Sequence, residues 1–328
     1  MKNILISGAL GYLGCHLSVF LANNFPMYNI LAVDNESDKK YISNKKVLEN
    51  YSNINYLKKD ITDIHFLESI LNEKKGFFST YLSGKIDIIY AFAFDSNLDL
   101  FSNKSHNLTD NLKTCISIAT QAIKSWNNLK DKKIIYISSA DVYGNKDKNF
   151  SEQDCLNPEN LKGSLHASNE MILKTMSLNY GLPVTVFRAS SYFGPGCKHN
   201  NIPTHILSKL AINEPINLPI SIKSQINIIY YDDLIYGLET GIKTEKTFDI
   251  YNLGGFNISV GDFIDISKQI LQKRFGLNYN QKIDYPIDKI LYSTISLDKV
   301  YNDLGWKNYT ELEDSIEKTI AYYISNDS

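Results

Sequence analysis

Lys2-Asn3-Ile4-Leu5-Ile6-Ser7-Gly8-Ala9-Leu10-Gly11-Tyr12-Leu13-Gly14 is the stretch from which the rest of the chain can be read. An apolar run too short for a signal peptide or a membrane span leads straight into Gly8, Gly11 and Gly14, and helical periodicity begins behind them over 14–24. Glycines so placed serve a tight turn, a close approach of backbone to a ligand, and hard packing of a helix on a strand. The helix N-terminus, with Tyr12 and Leu13, then faces anionic groups. Glycine spacing of this kind is common, so context counts. Asp34 closes the second apolar run, roughly twenty residues past the last glycine, where a carboxylate accepts from ribose hydroxyls and repels a 2′-phosphate. Together they point to NAD rather than NADP, with Asn35 beside Asp34, and with Asp60 and Ile61 next to the adenine. The plainer alternative is a set of glycines that only makes a turn and an Asp34 that caps a loop.

Short apolar runs at 2–7, 29–33, 54–58, 86–91, 133–138 and 183–188 read as strands. Between them 14–24, 64–71, 108–126 and 165–180 carry helical spacing. This alternation predicts an α/β fold, a doubly wound parallel sheet of Rossmann type. Past Arg188 the pattern changes. Gly194-Pro195-Gly196 breaks the chain, and helices expected at 204–212, 260–272 and 311–324 lack a matching set of parallel strands, which predicts a smaller, mixed C-terminal substrate lobe. The expected boundaries are 1–188 for the dinucleotide-binding domain, with segments returning at about 226–252, and 189–225 with 253–328 for the lobe. The piece 226–241 reads as a helix approach and 248–252 as a strand, both returning to the first domain.

With 328 residues and a net charge of -2, composition suggests neither a nucleic-acid nor a membrane partner, and the protein is expected in the cytoplasm. Cys15, Cys115, Cys155 and Cys197 are scattered, with no CxxC pair and no clustered His, so neither a disulfide framework nor a zinc site is indicated. Arg188 and Arg274 are the only arginines.

Further stretches carry a resemblance that runs nearly end to end. They are Ile137-Ser138-Ser139-Ala140-Asp141-Val142-Tyr143-Gly144, Ser151-Glu152 with Pro158, the segment 188–195, Tyr230-Tyr231-Asp232-Asp233, Tyr251-Asn252-Leu253-Gly254-Gly255 and Leu304-Gly305-Trp306. The chain resembles an extended short-chain dehydrogenase/reductase of the NAD-dependent nucleotide-sugar epimerase/dehydratase family. That resemblance implies NAD as cofactor and a nucleotide sugar as substrate. It places Ala91, Phe92, Ala93, Asn111 and Ser138 along the nicotinamide half of the cofactor, and it implies a homodimer packed through the helices 108–126 and 165–180.

In the family a Tyr phenolate, its pKa lowered by a Lys four residues on, takes a proton from a sugar hydroxyl while hydride moves to NAD, and a Ser or Thr hydroxyl holds the same oxygen. Ser139 stands at the hydroxyl's place, or is simply a satisfied strand-end serine. Leu165 and Asn169 stand where the Tyr and Lys are usual. Leu has no proton to exchange; Asn169 keeps the ability to hydrogen-bond the nicotinamide ribose but supplies no charge. Asp141 falls where some family dehydratases carry an acid, with Ala140 at its partner's place, and reads equally as a loop cap. His166 is a further candidate, or a polar helix residue; Tyr143 and Tyr192 are phenols or packing residues. The diphosphate-holding arginines are missing, with Ile226 at the first position and no Arg in 290–296. Ser191, Lys198 and Lys223, with His199, remain as substrate contacts or as solvated surface. Two readings stay open: an NAD-dependent sugar-nucleotide enzyme with a relocated base, and a catalytically inactive NAD- or sugar-nucleotide-binding paralogue that acts as partner or regulator.

Overall fold

The computed structural model describes residues 2–72, 85–94, 107–285 and 289–326. In chain order its main elements begin with β1 (Asn3–Ser7), α1 (Tyr12–Asn24), β2 (Asn29–Asp34), α2 (Asn44–Leu48), β3 (Ile54–Lys58), α3 (Ile64–Leu71) and β4 (Ile88–Ala91). Next come α4 (Asn107–Ser125), β5 (Lys133–Ser139), α5 (Leu161–Tyr180), β6 (Val184–Ala189), β7 (Ser191–Phe193), α6 (Ile202–Ala211) and β8 (Ile216–Asn217). The remainder is β9 (Gln225–Tyr230), α7 (Tyr231–Thr240), β10 (Phe248–Leu253), β11 (Phe256–Ser259), α8 (Val260–Phe275), β12 (Ile283–Asp284), β13 (Tyr292–Ser293), α9 (Asp298–Leu304) and α10 (Leu312–Asn326).

The seven-stranded sheet has the order β10-β6-β5-β4-β1-β2-β3, and the pairs β3-β2, β2-β1, β1-β4 and β4-β5 are parallel. Strand order therefore reverses between β1 and β4, and the carboxyl ends of the strands at such a reversal are where open α/β sheets receive ligands. Ile- and Val-rich strands suit this arrangement because both faces are covered. Leu5, Leu31, Val33, Ile89, Ile134 and Val186 pack with Phe66 and Leu67 of α3, Ile118 and Ala122 of α4 and Leu173 of α5.

Two compact units make up the chain: Met1–Ser138, Asn160–Phe187 and Leu238–Ile250 in the first, and Ser139–Glu159, Arg188–Gly237 and Tyr251–Ser328 in the second. The second has its own core, in which Phe193, Ile206, Leu210, Ile228, Phe263, Leu271, Ile316 and Ile320 meet. Its small mixed sheet pairs β9 with β7 and β13 in parallel and with β11 antiparallel.

Several expectations differ from what is found. The stretch 226–241 is not a helix approach: β9 supplies the central strand of the small sheet, and only α7 behind it is helical. A short, mostly apolar run such as Ile226 to Tyr230, with Asn227 inside it, is too short for a period that separates strand from buried helix. The segment Ser139–Glu159, expected with the first domain, clusters with the second unit. Its bonds explain this, since Phe150 N donates to Thr294 O, Ser296 N to Phe150 O, and Asn252 N to the Glu152 carboxylate at 2.7 Å. Helix α5 starts four residues before its expected start at 165. The Asn160 side chain caps it by accepting from Gly163 N at 2.7 Å, and Gly181 ends it in the left-handed region. Among the described residues no helix is long and apolar enough to cross a membrane.

Candidate cofactor and reaction site

The first turn after β1 is held by backbone close approach. Gly8 has φ +70, where a side chain is strained, and a Cβ there would lie 2.9 Å from Ala93 N and from the Phe92 carbonyl. A Cβ on Gly14 would lie 2.2 Å from Gly8 O. Ser7 Oγ ties the two strand ends together, accepting from Phe92 N at 3.2 Å and Ala93 N at 3.4 Å while donating to Tyr90 O. Helix α1 then opens at Gly11 with no side-chain cap and no acidic residue in its first turn, so its positive end is left for an anion.

Asp34, at the end of β2, faces this turn. One carboxylate oxygen accepts from Leu10 N at 3.1 Å and the other from Glu36 N at 2.7 Å. Burial lifts its pKa above the ordinary carboxylate value, against the pull of these two N–H donors. Asn44 Nδ2 holds the Leu10 carbonyl at 2.9 Å. Asn35 is exposed and accepts from Ser37 N, Asp60 accepts from both Thr62 N and Thr62 Oγ1 at 2.8 Å, and Ile61 is buried. Glycine turn, uncapped helix end and preset carboxylate together fit a pyrophosphate with an adjoining ribose.

At the carboxyl end of β5 the interior is polar. Tyr136 Oη lies 2.8 Å from His166 Nδ1 and receives Asn169 Nδ2 at 3.0 Å. Two residues on along β5, Ser138 Oγ donates to the Glu170 carboxyl at 2.5 Å. All five are buried: Tyr136 and Ser138 are each 3 %, His166 4 %, Asn169 1 % and Glu170 2 % exposed. The His166 ring stacks on Phe94, 4.1 Å between centroids and 15° from parallel. Burial holds the Tyr136 phenol well above its ordinary pKa, so it serves as a hydroxyl, not a base. Asn169 Oδ1 is buried and has no hydrogen-bond partner. An orphaned acceptor of this kind costs about 1–3 kcal/mol unless a donor arrives. Leu165 and Asn111 are buried on α5 and α4.

Tyr136 and Glu170 were not singled out from the sequence. The available signal was Tyr136 and Ser138 sharing one strand face by alternation, with polar residues at 166, 169 and 170 on one face of α5.

In the second unit Ser139 caps the short turn Ala140–Tyr143, its Oγ accepting from Asp141 N at 3.2 Å, and Asp141 is half-buried. Tyr143 is buried; its hydroxyl donates to Asn252 Oδ1 at 2.7 Å and receives Arg188 at 2.8 Å. Tyr192 Oη lies 2.7 Å from His199 Nε2. Ser191 opens β7, half-buried, while Lys198 and Lys223 stand exposed on separate turns.

The human dTDP-D-glucose 4,6-dehydratase is 26% identical over 339 residues, covering 99% of this chain and 91% of the relative. A dTDP-glucose 4,6-dehydratase from Bacillus anthracis, solved in complex with NAD, superposes with a TM-score of 0.83 at 19% identity, covering 100% of this chain and 98% of that one. UDP-glucuronic acid 4-epimerase from Bacillus cereus, in complex with UDP-glucuronic acid and NAD, does so at 0.81 and 20% identity, covering 99% of each chain. The two structural likenesses establish the fold. A family model described as NAD dependent epimerase/dehydratase matches residues 4–254, so the cofactor expected from the glycines and Asp34 is the one in the family's own description. The chain belongs to the NAD dependent epimerase/dehydratase family.

Proposed function

We propose that this protein binds NAD and modifies a nucleotide-linked sugar, as an epimerase or dehydratase whose reaction end works without the usual Tyr and Lys. The observation that carries the reading is the glycine cradle closed by Asp34. The amides of Tyr12, Leu13 and Gly14 would hold the pyrophosphate against the turn that Gly8 and Gly11 make, Asp34 and Asn35 the adenosine ribose, and Asp60 and Ile61 the adenine edge. Ala91, Phe92, Ala93, Asn111, Ser138 and Asn169 would line the nicotinamide half. When bound, NAD supplies a hydride acceptor. Leu165 and Asn169 take the places of the Tyr and Lys, Ser139 holds the reacting sugar oxygen, and Asp141 takes up the proton. Ser139 Oγ accepts from Asp141 N, which leaves its own hydrogen available as a donor. His166, with Nδ1 on Tyr136 and its ring on Phe94, supports the layer behind. A UDP- or dTDP-linked hexose, as named for the relatives, would be held by Ser191, Lys198 and Lys223 in the second unit.

Two further parts of the proposal concern assembly and compartment. Helices α4 and α5 pack side by side. Along α5 the outward residues Ser164, Ser168, Met171, Thr175 and Leu178 alternate four and three apart, with Met171 64 % and Leu178 74 % exposed. The Ser168 and Thr175 hydroxyls are satisfied by their own helix's carbonyls. A seam of that spacing suits a helix of a second copy, which supports a homodimer. The free cysteines suit the reducing cytoplasm.

The test is absorbance of the bound nicotinamide on mixing with UDP-glucose or dTDP-glucose. Transient reduction is the expected result. A second reading, an inactive NAD- or sugar-nucleotide-binding partner protein, is favoured by Leu165, a buried side chain with no exchangeable proton. Absence of reduction with every sugar nucleotide tried would establish that reading in place of the first.

A further inference from the structure

Two residues past Asp34 the backbone is strained. Glu36 has φ 59, a left-handed conformation that glycine or asparagine adopts far more readily than glutamate. An outlier of this kind persists where its surroundings hold it, and here donors from two other elements converge on the side chain. Lys58 Nζ lies 2.7 Å from one carboxylate oxygen. Tyr56 Oη donates to the other at 3.1 Å, and Lys45 Nζ stands 4.0 Å from that same oxygen. Tyr56 and Lys58 are two apart on β3 and so share a face. Lys45, on α2, also stands over the Tyr56 ring at 5.3 Å. Lys58 above all, with Tyr56, holds the Glu36 carboxyl below its ordinary pKa, against the opposing effect of desolvation.

This cluster lies beside Asp34. Lys58 is paired with Asp34 across the β2–β3 ladder, Lys59 N donates to Asp34 O at 2.9 Å, and Glu36 N donates to the Asp34 carboxylate at 2.7 Å. Asn44, next to Lys45, donates to Leu10 O in the glycine turn. Ammonium groups and a phenol hydroxyl gathered at one point are chemistry that binds a phosphate. The protein fills that point with an anion of its own. The Glu36 side chain is only 11 % exposed, whereas those of Lys58 and Lys45 are 61 % and 41 % exposed. Both lysines can therefore reach a new anion without any rebuilding of the fold.

Resting on the cofactor reading above, we propose that Glu36 is a second determinant of cofactor choice and that it acts through the lysines. Asp34 meets a 2′-phosphate with like charge. Glu36 occupies the donors that would otherwise draw that phosphate in. Without its carboxylate, Lys58, Lys45 and Tyr56 become an anion site beside the place of the adenosine ribose, and they offset the repulsion from Asp34. Glu36 N keeps its bond to Asp34 whatever the side chain, so the grip on an unphosphorylated ribose stays as it was.

The experiment is calorimetric titration of the whole chain with NAD⁺ and NADP⁺, in the wild type and in Glu36→Gly and Glu36→Gln. Glycine suits φ 59 and glutamine keeps the length of the side chain, and NAD⁺ binding shows that each variant folds. Wild type is expected to prefer NAD⁺. Each variant should bind NADP⁺ about tenfold tighter than wild type does, with NAD⁺ affinity changed by less than about twofold. Adding Lys58→Ser to Glu36→Gly should remove that gain, and raised salt should shrink it, because exposed ammonium groups are screened. NADP⁺ affinity that stays at the wild-type level in both variants overturns the inference. So does a gain that survives Lys58→Ser, since Glu36 would then act by direct repulsion. Loss of NAD⁺ binding in both variants overturns it too, because Glu36 would then be part of the framework of the cradle. A wild type that binds neither dinucleotide overturns the cofactor reading itself, which separates the two failures.

Discussion

The glycine turn after β1 and the polar layer between β5 and α5 lie in the same unit, yet they are built from different materials. At the turn, backbone meets backbone: a Cβ on Gly14 would sit 2.2 Å from Gly8 O, and almost nothing but glycine fits. In the layer, side chains meet side chains, with Tyr136, His166 and Asn169 joined by two hydrogen bonds of 2.8 and 3.0 Å. A backbone site tolerates little exchange of residues. A side-chain site can be rewritten one residue at a time while the helix and strand that carry it stay in place. By that contrast, a chain could keep its glycine turn while the side chains between β5 and α5 change.

The strongest way to break the contrast is to rewrite the layer toward the family pattern. Leu165→Tyr with Asn169→Lys should raise the rate of nicotinamide reduction by sugar nucleotide by about 10²- to 10⁴-fold if only the proton-transfer groups are missing. Stopped-flow absorbance checks it, and no gain would mean that the substrate end has diverged as well. Next in size is an attack on the cradle. Gly14→Ala should cost about 1–3 kcal/mol of stability by overpacking, read by urea unfolding, and should abolish NAD binding in calorimetry.

The cradle helix also carries its own acid sensitivity. His16, packed edge-on against Tyr12 at 4.6 Å, has its pKa lowered by burial to about 4 from 6.5. Between these values the unfolded chain takes up a proton that the folded one refuses, so stability is full above pH 6.5 and falls as pH drops toward 4. The loss totals about 3 kcal/mol. His16→Gln should flatten this part of the pH–stability curve in denaturant melts, and an unchanged slope would refute the assignment. The smallest effect lies outside both regions. Met171→Asp with Leu178→Asp should break the proposed dimer in sedimentation and leave NAD affinity unchanged.

How much was legible in the sequence follows the same division. Gly8, Gly14 and Asp34 were readable because each does something no neighbour can: a positive φ, a contact with no room for a Cβ, a carboxylate at a strand end. The paired strands of the large sheet were readable from their Ile and Val content. The start of α5 was missed because Gly163 and Ser164 dilute its apolar period, although Asn160 was there as its cap. Strand β9 was missed because its short, mostly apolar run fits strand and buried helix alike. The hydrogen bond from Tyr136 to His166 joins residues 30 apart, and no local pattern announces a contact at that distance.

Asp34 is already engaged by Leu10 N and Glu36 N without any ligand, so little of the cradle has to freeze when an adenosine arrives. Where ordering has been completed during folding, association loses less entropy and the occupant departs slowly. Such a cradle is expected to show a smaller entropic penalty on taking up a dinucleotide than one that must order around it.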